Sequence, residues 1–85
     1  MRQLHEIKLL REFQDAILNR EKTFEVREND RGYQKGDYVK FYVTNRRNVD
    51  EPLDHKVYEI TYVLSGWHIE PGYVVFGIQE VTESE

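Results

Sequence analysis

Alternation of apolar and polar residues recurs along most of the chain and predicts strands. Leu4–Leu9 (LHEIKL) alternates and reads as a first strand. From Leu10 the period lengthens. Leu10, Phe13, Ala16 and Ile17 fall on one stripe with Arg11, Glu12, Gln14 and Asp15 opposite, which predicts a helix over Leu10–Asn19. Asn19 stands where a helix ends in a left-handed residue. Arg20 and Lys22 then follow the negative end of the helix dipole.

Thr23–Glu28 (TFEVRE) alternates again, with Phe24 and Val26 facing one way and Thr23, Glu25 and Arg27 the other. Asp37–Thr44, His55–Leu64 and Tyr73–Val81 read as three more strands, rich in β-branched and aromatic residues. Turn-rich Asn29–Gly36, polar Asn45–Asp54 and Gly-bounded Ser65–Gly72 join them, and Thr82–Glu85 is expected to fray. The order is β-α-β-β-β-β. One helix cannot cover both faces of a flat sheet, so the pattern predicts an α+β, mainly β fold. Its form would be a small barrel of about five strands with one helix between strands 1 and 2. Strand parity places Phe24 and Val26 in the core with Phe13, Ile17, Val39 and Phe41, and turns Glu25 and Arg27 into a cleft beside the helix.

The 85 residues allow one domain, 1–85, with its core over 4–81. Cysteine is absent, which excludes thiolate metal sites and suits a reducing cytoplasm. Apolar runs are too short for a membrane span or a secretory signal. Net charge is −4 with a pI near 5.4, unlike a generic polyanion binder. The charge is uneven, however. Residues 1–47 hold 11 Lys/Arg and 8 Asp/Glu, whereas residues 48–85 hold only Lys56 against 8 acids. Any anion-binding surface is expected from the first half.

No metal or cofactor is expected. His5, His55 and His68 are widely separated, no Gly-rich phosphate loop is present, and neither Ser65 nor Ser84 sits in a nucleophile elbow. The informative stretch is Arg20–Arg27 (REKTFEVR). It gathers Lys22, Glu25 and Arg27 where a helix ends and a strand begins. Such a cluster can hold an anionic or polar ligand. The same spacing also describes an ordinary surface ion-pair network.

Lys22-Thr23-Phe24-Glu25-Val26-Arg27 after a helix, then a turn and Gly36-Asp37 opening a strand, resembles the ASCH domain of the PUA-like superfamily, whose motif is G-x-K-x-x-E-x-R. Lys22, Glu25 and Arg27 match it, and Arg20 replaces the leading Gly. The chain is most similar to a short ASCH-like family of unknown function found in bacteria and phages. That similarity rests on His5-Glu6-Ile7-Lys8, Thr23–Arg27, Asn29-Asp30-Arg31, Gly36-Asp37, Tyr62-Val63-Leu64 and Gly72-Tyr73-Val74-Val75. The resemblance spans about Leu4 to Val81. It implies a PUA-like barrel with a cleft lined by the Lys, Glu and Arg, and binding of RNA or nucleotides. Some stand-alone relatives of that kind are amidohydrolases acting on an acylated cytidine, with the motif K-x-x-T-x-R and Thr as nucleophile. Here Glu25 stands in the place of that Thr, and Thr23 is displaced by two residues.

Two functional readings follow. In the first, the domain binds RNA or a nucleotide through Lys22, Glu25, Arg27, Arg31 and Trp67, with Lys35 and Lys40 adding charge. Tyr33, Tyr38, Tyr42 or Trp67 could then supply a stacking surface. Trp67 can equally be a lid on the barrel end. In the second, it is a small hydrolase, either a nucleoside amidohydrolase or a ribonuclease, with Lys22, Glu25 or His5 moving protons. Two neighbouring cations disfavour protonation of Glu25, and His5 also reads as a packed strand histidine. A protein partner for the acidic second half is a third reading, with no residue that specifies it.

Overall fold

In the computed structural model, which describes residues 1–82, six strands form one sheet. β1 (Leu4–Lys8) runs through a short 3-10 turn (Arg11–Phe13) into α1 (Gln14–Leu18). β2 (Phe24–Glu28), β3 (Tyr38–Thr44), β4 (Asp50–Pro52), β5 (Tyr58–Leu64) and β6 (Tyr73–Glu80) follow. The fold is mainly β with one short helix. The expected fraying of the tail lies, beyond Thr82, outside the described residues. No helix among the described residues is long and apolar enough to cross a membrane.

The strand order is β1-β3-β5-β6-β2, with β4 beside β3. β1 pairs with β3 in parallel, and all other pairings are antiparallel. β4 was expected as loop. Its three residues are polar or proline and carry no alternation to read, yet they extend β3 by pairing Tyr42 with Pro52 and Thr44 with Asp50.

The chain's two early strands, β1 and β2, end up at opposite ends of the sheet. The closed barrel expected from the pattern is not formed, because no strand pairing joins β1 to β2 among the described residues. Instead a side chain crosses the gap: Arg27 Nη2 on β2 donates to the Lys8 carbonyl on β1 at 2.5 Å.

The core holds Val39 and Phe41 from β3, Tyr58 and Ile60 from β5, and Val74, Phe76 and Ile78 from β6. Ile7 and Leu9 close it from the β1 side and Ile17 from α1. Phe41 and Phe76 are fully buried, each worth about 1.5–3 kcal/mol over exposure. Three of the expected core residues are elsewhere, and so is Leu10 of the expected helical stripe. Phe24 and Val26 are 46% and 56% exposed, Phe13 stands 36% exposed on the 3-10 turn, and Leu10 is exposed beside it. The reason lies in the cross-strand register. Glu25 pairs with inward Phe76 and Arg27 with inward Val74, so Phe24 and Val26 point outward.

Candidate functional site

The end of α1 delivers Lys22 to its place. The Ala16 carbonyl accepts from the backbone N–H groups of both Glu21 and Lys22, at 2.8 and 3.0 Å, wrapping the chain around the helix terminus. Arg20 makes the reversal in a left-handed conformation, φ 62°, whereas Asn19, expected to take that role, stays at φ −84°. β2 then starts, and its alternation sends Glu25 and Arg27 to the inner side.

Glu25 is 3% exposed, and each of its oxygens accepts from a cation. Lys22 Nζ lies 2.5 Å from Oε2, and Arg27 Nε lies 2.9 Å from Oε1. Removing a carboxylate from water costs several kcal/mol unless charged partners and hydrogen bonds replace the solvent. Here both are supplied, and the three side chains form one hydrogen-bonded unit. Lys22 also donates to the Phe24 carbonyl at 2.8 Å.

This unit floors a groove of about 720 Å3 between β2 and the β1–α1 connection. Its walls are apolar: Leu9, Leu10, Phe13, Phe24 and Val26. Lys22 Nζ sits 5.0 Å from the ring centres of both Phe13 and Phe24, within cation–π range of each. Lys8, Lys22 and Arg27 outnumber Glu25, so the groove is net cationic. Arg11 steadies one end by donating to the Thr44 carbonyl.

On the far side of Arg27 lies a second hollow of about 480 Å3, more polar, with Arg31, Tyr33 and Tyr42 among its lining residues. Tyr33 is buried with its ring 4.8 Å from His5 and 4.7 Å from Phe76. Burial pushes its hydroxyl pKa up, against a smaller opposing pull from Arg27 and Arg31.

The structure thus brings Lys22, Glu25 and Arg27 together, and Arg31 lines the second hollow together with Arg27. It does not bring His5 to them. His5 lines neither hollow, and its Nε2 is 2.9 Å from Asp37 Oδ2, both residues being buried. Trp67 lies outside both hollows, 82% exposed in the β5–β6 loop. Lys35 and Lys40 line neither. Of the tyrosines considered for stacking, Tyr38 accepts from Arg2 and Tyr42 donates to Glu6 on the outer sheet face. Among the described residues no three His, Cys, Asp or Glu side chains gather as a metal site would need.

The groove's walls are not legible from hydrophobicity, which assigns Phe13 and Phe24 to the core. A signal was present: if Glu25 and Arg27 face inward, Phe24 and Val26 must face out. No curated protein matches the chain. Residues 4–78 match the family model described as a domain of unknown function, DUF3850, and the chain belongs to that family.

Proposed function

We propose that this domain binds a nucleotide or a short single-stranded RNA segment in the groove between β2 and the β1–α1 connection. The observation that carries the reading is the Lys22–Glu25–Arg27 unit. Glu25 fixes both cations while leaving one Lys22 proton and part of the Arg27 fork undirected. Such donors suit phosphate oxygens. The flanking Phe13 and Phe24 rings suit a base, whose stacking is tolerant of sequence. Glu25 has both oxygens engaged and acts by holding the cations. Arg31 lines the adjoining hollow with Arg27, and in this reading it takes a neighbouring phosphate.

In this reading the curled sheet is a PUA-like barrel left open at the β1–β2 seam, and the opening is the ligand's entrance. Acyl-nucleoside hydrolysis is less favoured. Glu25 replaces the threonine nucleophile, and Thr23 lines a different hollow, with Ile17, Tyr58 and Glu80.

Titration of short single-stranded RNA and of nucleoside 5′-monophosphates, followed by NMR shifts, tests the proposal. Two or three phosphate contacts predict weak binding and a shallow salt dependence, with log K falling by roughly 1.5–2 per decade of salt for single strands. Lys22→Ala and Arg27→Ala should each abolish the shifts. Absence of any shift at low salt removes the reading.

A further inference from the structure

A third hollow, of about 370 Å3, is lined by residues of α1, the turn after it, β5 and β6. It shares only Lys22 with the groove. Its apolar part is Ile17 and Ile78, both buried. Tyr58 and Glu80 are cross-strand partners on β5 and β6, and such partners project to the same side of the sheet. Tyr58 is 4% exposed, and its hydroxyl has no hydrogen-bond partner among the described residues. Burial is the main cause of its raised pKa, and the charges of Glu80, Asp54 and Arg20 also reach it. Glu80 and Arg20 both line the hollow, so the hydroxyl end of the ring lies at the hollow.

Most charges around it are matched. Lys22 Nζ is held by Glu25 at 2.5 Å, and Lys56 Nζ donates to Glu80 Oε2 at 2.7 Å. Asp54, largely exposed, comes within 4.0 Å of Lys56. Arg20 is the exception. Its Nη2 approaches Glu80 Oε1 only to 3.6 Å, beyond hydrogen-bond length, and its side chain is 73% exposed. Its backbone holds φ 62°, a conformation that suits glycine. Arg20 and Tyr58 thus each cost the fold stability, and both line the same hollow. Positions that break local rules in this way concentrate at binding sites.

We propose that this hollow is a second ligand site, separate from the groove, and that it takes a small organic carboxylate. The carboxylate accepts from the Arg20 guanidinium and from the Tyr58 hydroxyl, and its hydrocarbon part rests on Ile17 and Ile78. One uncommitted guanidinium matches one carboxylate, both in charge and in the geometry of its fork. A phosphate dianion would bring a second negative charge near Glu80 with no free cation to meet it. An ammonium ligand would meet Arg20, while the Glu80 carboxylate is already taken by Lys56. The volume is at the small end of ligand pockets, which limits the molecule to a few carbon atoms.

Titration of the full chain with butyrate, followed by amide NMR shifts, tests this. Saturable shifts are expected at Arg20, Tyr58 and Ile78, with a dissociation constant on the order of 1 mM for so small a ligand. Butyramide, similar in shape but uncharged, should give none, and inorganic phosphate should bind several-fold more weakly. Tyr58→Phe should weaken butyrate about tenfold or more, the scale of one hydrogen bond to a charged group. Arg20→Gly should abolish the saturable shifts. Arg20→Asn, which also tolerates the left-handed turn, is the second variant for that position. Melting curves at or above that of the parent chain show that binding, and not the fold, is lost. Absence of saturable shifts at ten times the expected dissociation constant overturns the proposal. An equal response to phosphate overturns it too, since that marks a bare surface cation. So does butyrate binding indifferent to Tyr58→Phe, in which case the hydroxyl serves only solvent.

Discussion

His5 on β1 and Asp37 at the entry to β3 meet at 2.9 Å, Nε2 to Oδ2, across 32 residues of sequence. Asp37 also accepts from the backbone N–H groups of Gln3 and Gln34, so one carboxylate ties the start of β1 to the turn before β3. Gly36, at φ 92°, lets that turn form. The co-occurrence of His-Glu-Ile-Lys and Gly-Asp in the sequence thereby acquires a structural cause, and His5 a structural role.

Burial alone would raise the Asp37 pKa, but the hydrogen bonds from His5, Gln3 and Gln34 outweigh it and hold the group below the ordinary 3.8. A carboxylate with a depressed folded pKa stabilises the fold above its unfolded pKa, and that contribution disappears as pH falls through the folded value. The melting temperature should therefore drop as pH descends below about 4. Asp37→Asn should lower stability at neutral pH by about 1–3 kcal/mol and flatten this acid limb. Melting curves of both proteins across the acid range check the sign. An equally steep limb in the variant would show that other carboxylates control acid unfolding.

Arg20 occupies a left-handed turn position that glycine fills without strain. Its side chain is mostly exposed and approaches Glu80 at 3.6 Å, a contact worth at most about 1 kcal/mol at a surface. Releasing the backbone strain outweighs both that contact and the added freedom of the unfolded glycine. Arg20→Gly should raise stability by about 0.5–1 kcal/mol, read as a higher denaturant midpoint at unchanged slope. A loss of stability would mean that the Arg20–Glu80 contact matters more than its exposure suggests.

Tyr58 presents the opposite economy. Its hydroxyl is buried and has no hydrogen-bond partner among the described residues. Burial, with Glu80 nearby, pushes its pKa up. An unsatisfied buried hydroxyl costs about 1–3 kcal/mol, so Tyr58→Phe, which keeps the ring against Phe41, should be neutral or stabilising. Thermal melting decides, and clear destabilisation would reveal a hidden partner for the hydroxyl.

The strands of this fold were legible because their alternation is strong, and each of the five expected strands has its counterpart within three residues at either end. The site residues were legible for a different reason, since Lys22, Glu25 and Arg27 are local in sequence and meet by strand parity. What was hidden depends on distant pairing. The partner of His5 is Asp37, and no spacing rule connects them. The inward side of β2 is set by Phe76 and Val74 on β6, which lie about 50 residues away, so hydrophobicity alone put Phe24 and Val26 on the wrong side. β2 breaks the usual rule because its inner side carries the hydrogen-bonded Lys22–Glu25–Arg27 unit, and an edge strand of this kind can leave its apolar side uncovered.

Binder and enzyme separate most cleanly at Glu25 and Phe13. As a binder, the domain uses Glu25 to fix two cations. Glu25→Gln keeps the shape but loses the charge that holds Lys22 and Arg27, and ligand affinity should fall by roughly 1–3 kcal/mol. Phe13→Ala should weaken a nucleotide by a similar amount through lost stacking while leaving the salt dependence unchanged, because no phosphate contact is touched. No product should form with either variant or with the parent chain. As an enzyme, the parent would turn over an acylated nucleoside or a short RNA, and Lys22→Ala or Glu25→Gln would remove the roughly 10²–10⁴-fold that proton transfer contributes. The measurement is a multiple-turnover assay run beside the NMR titration, with melting curves to show that each variant is folded. Binding without turnover is the expected pattern, since both Glu25 oxygens are already committed to cations and Thr23 is not in the groove. Turnover abolished by Lys22→Ala in a folded protein would replace the binding function with a hydrolytic one.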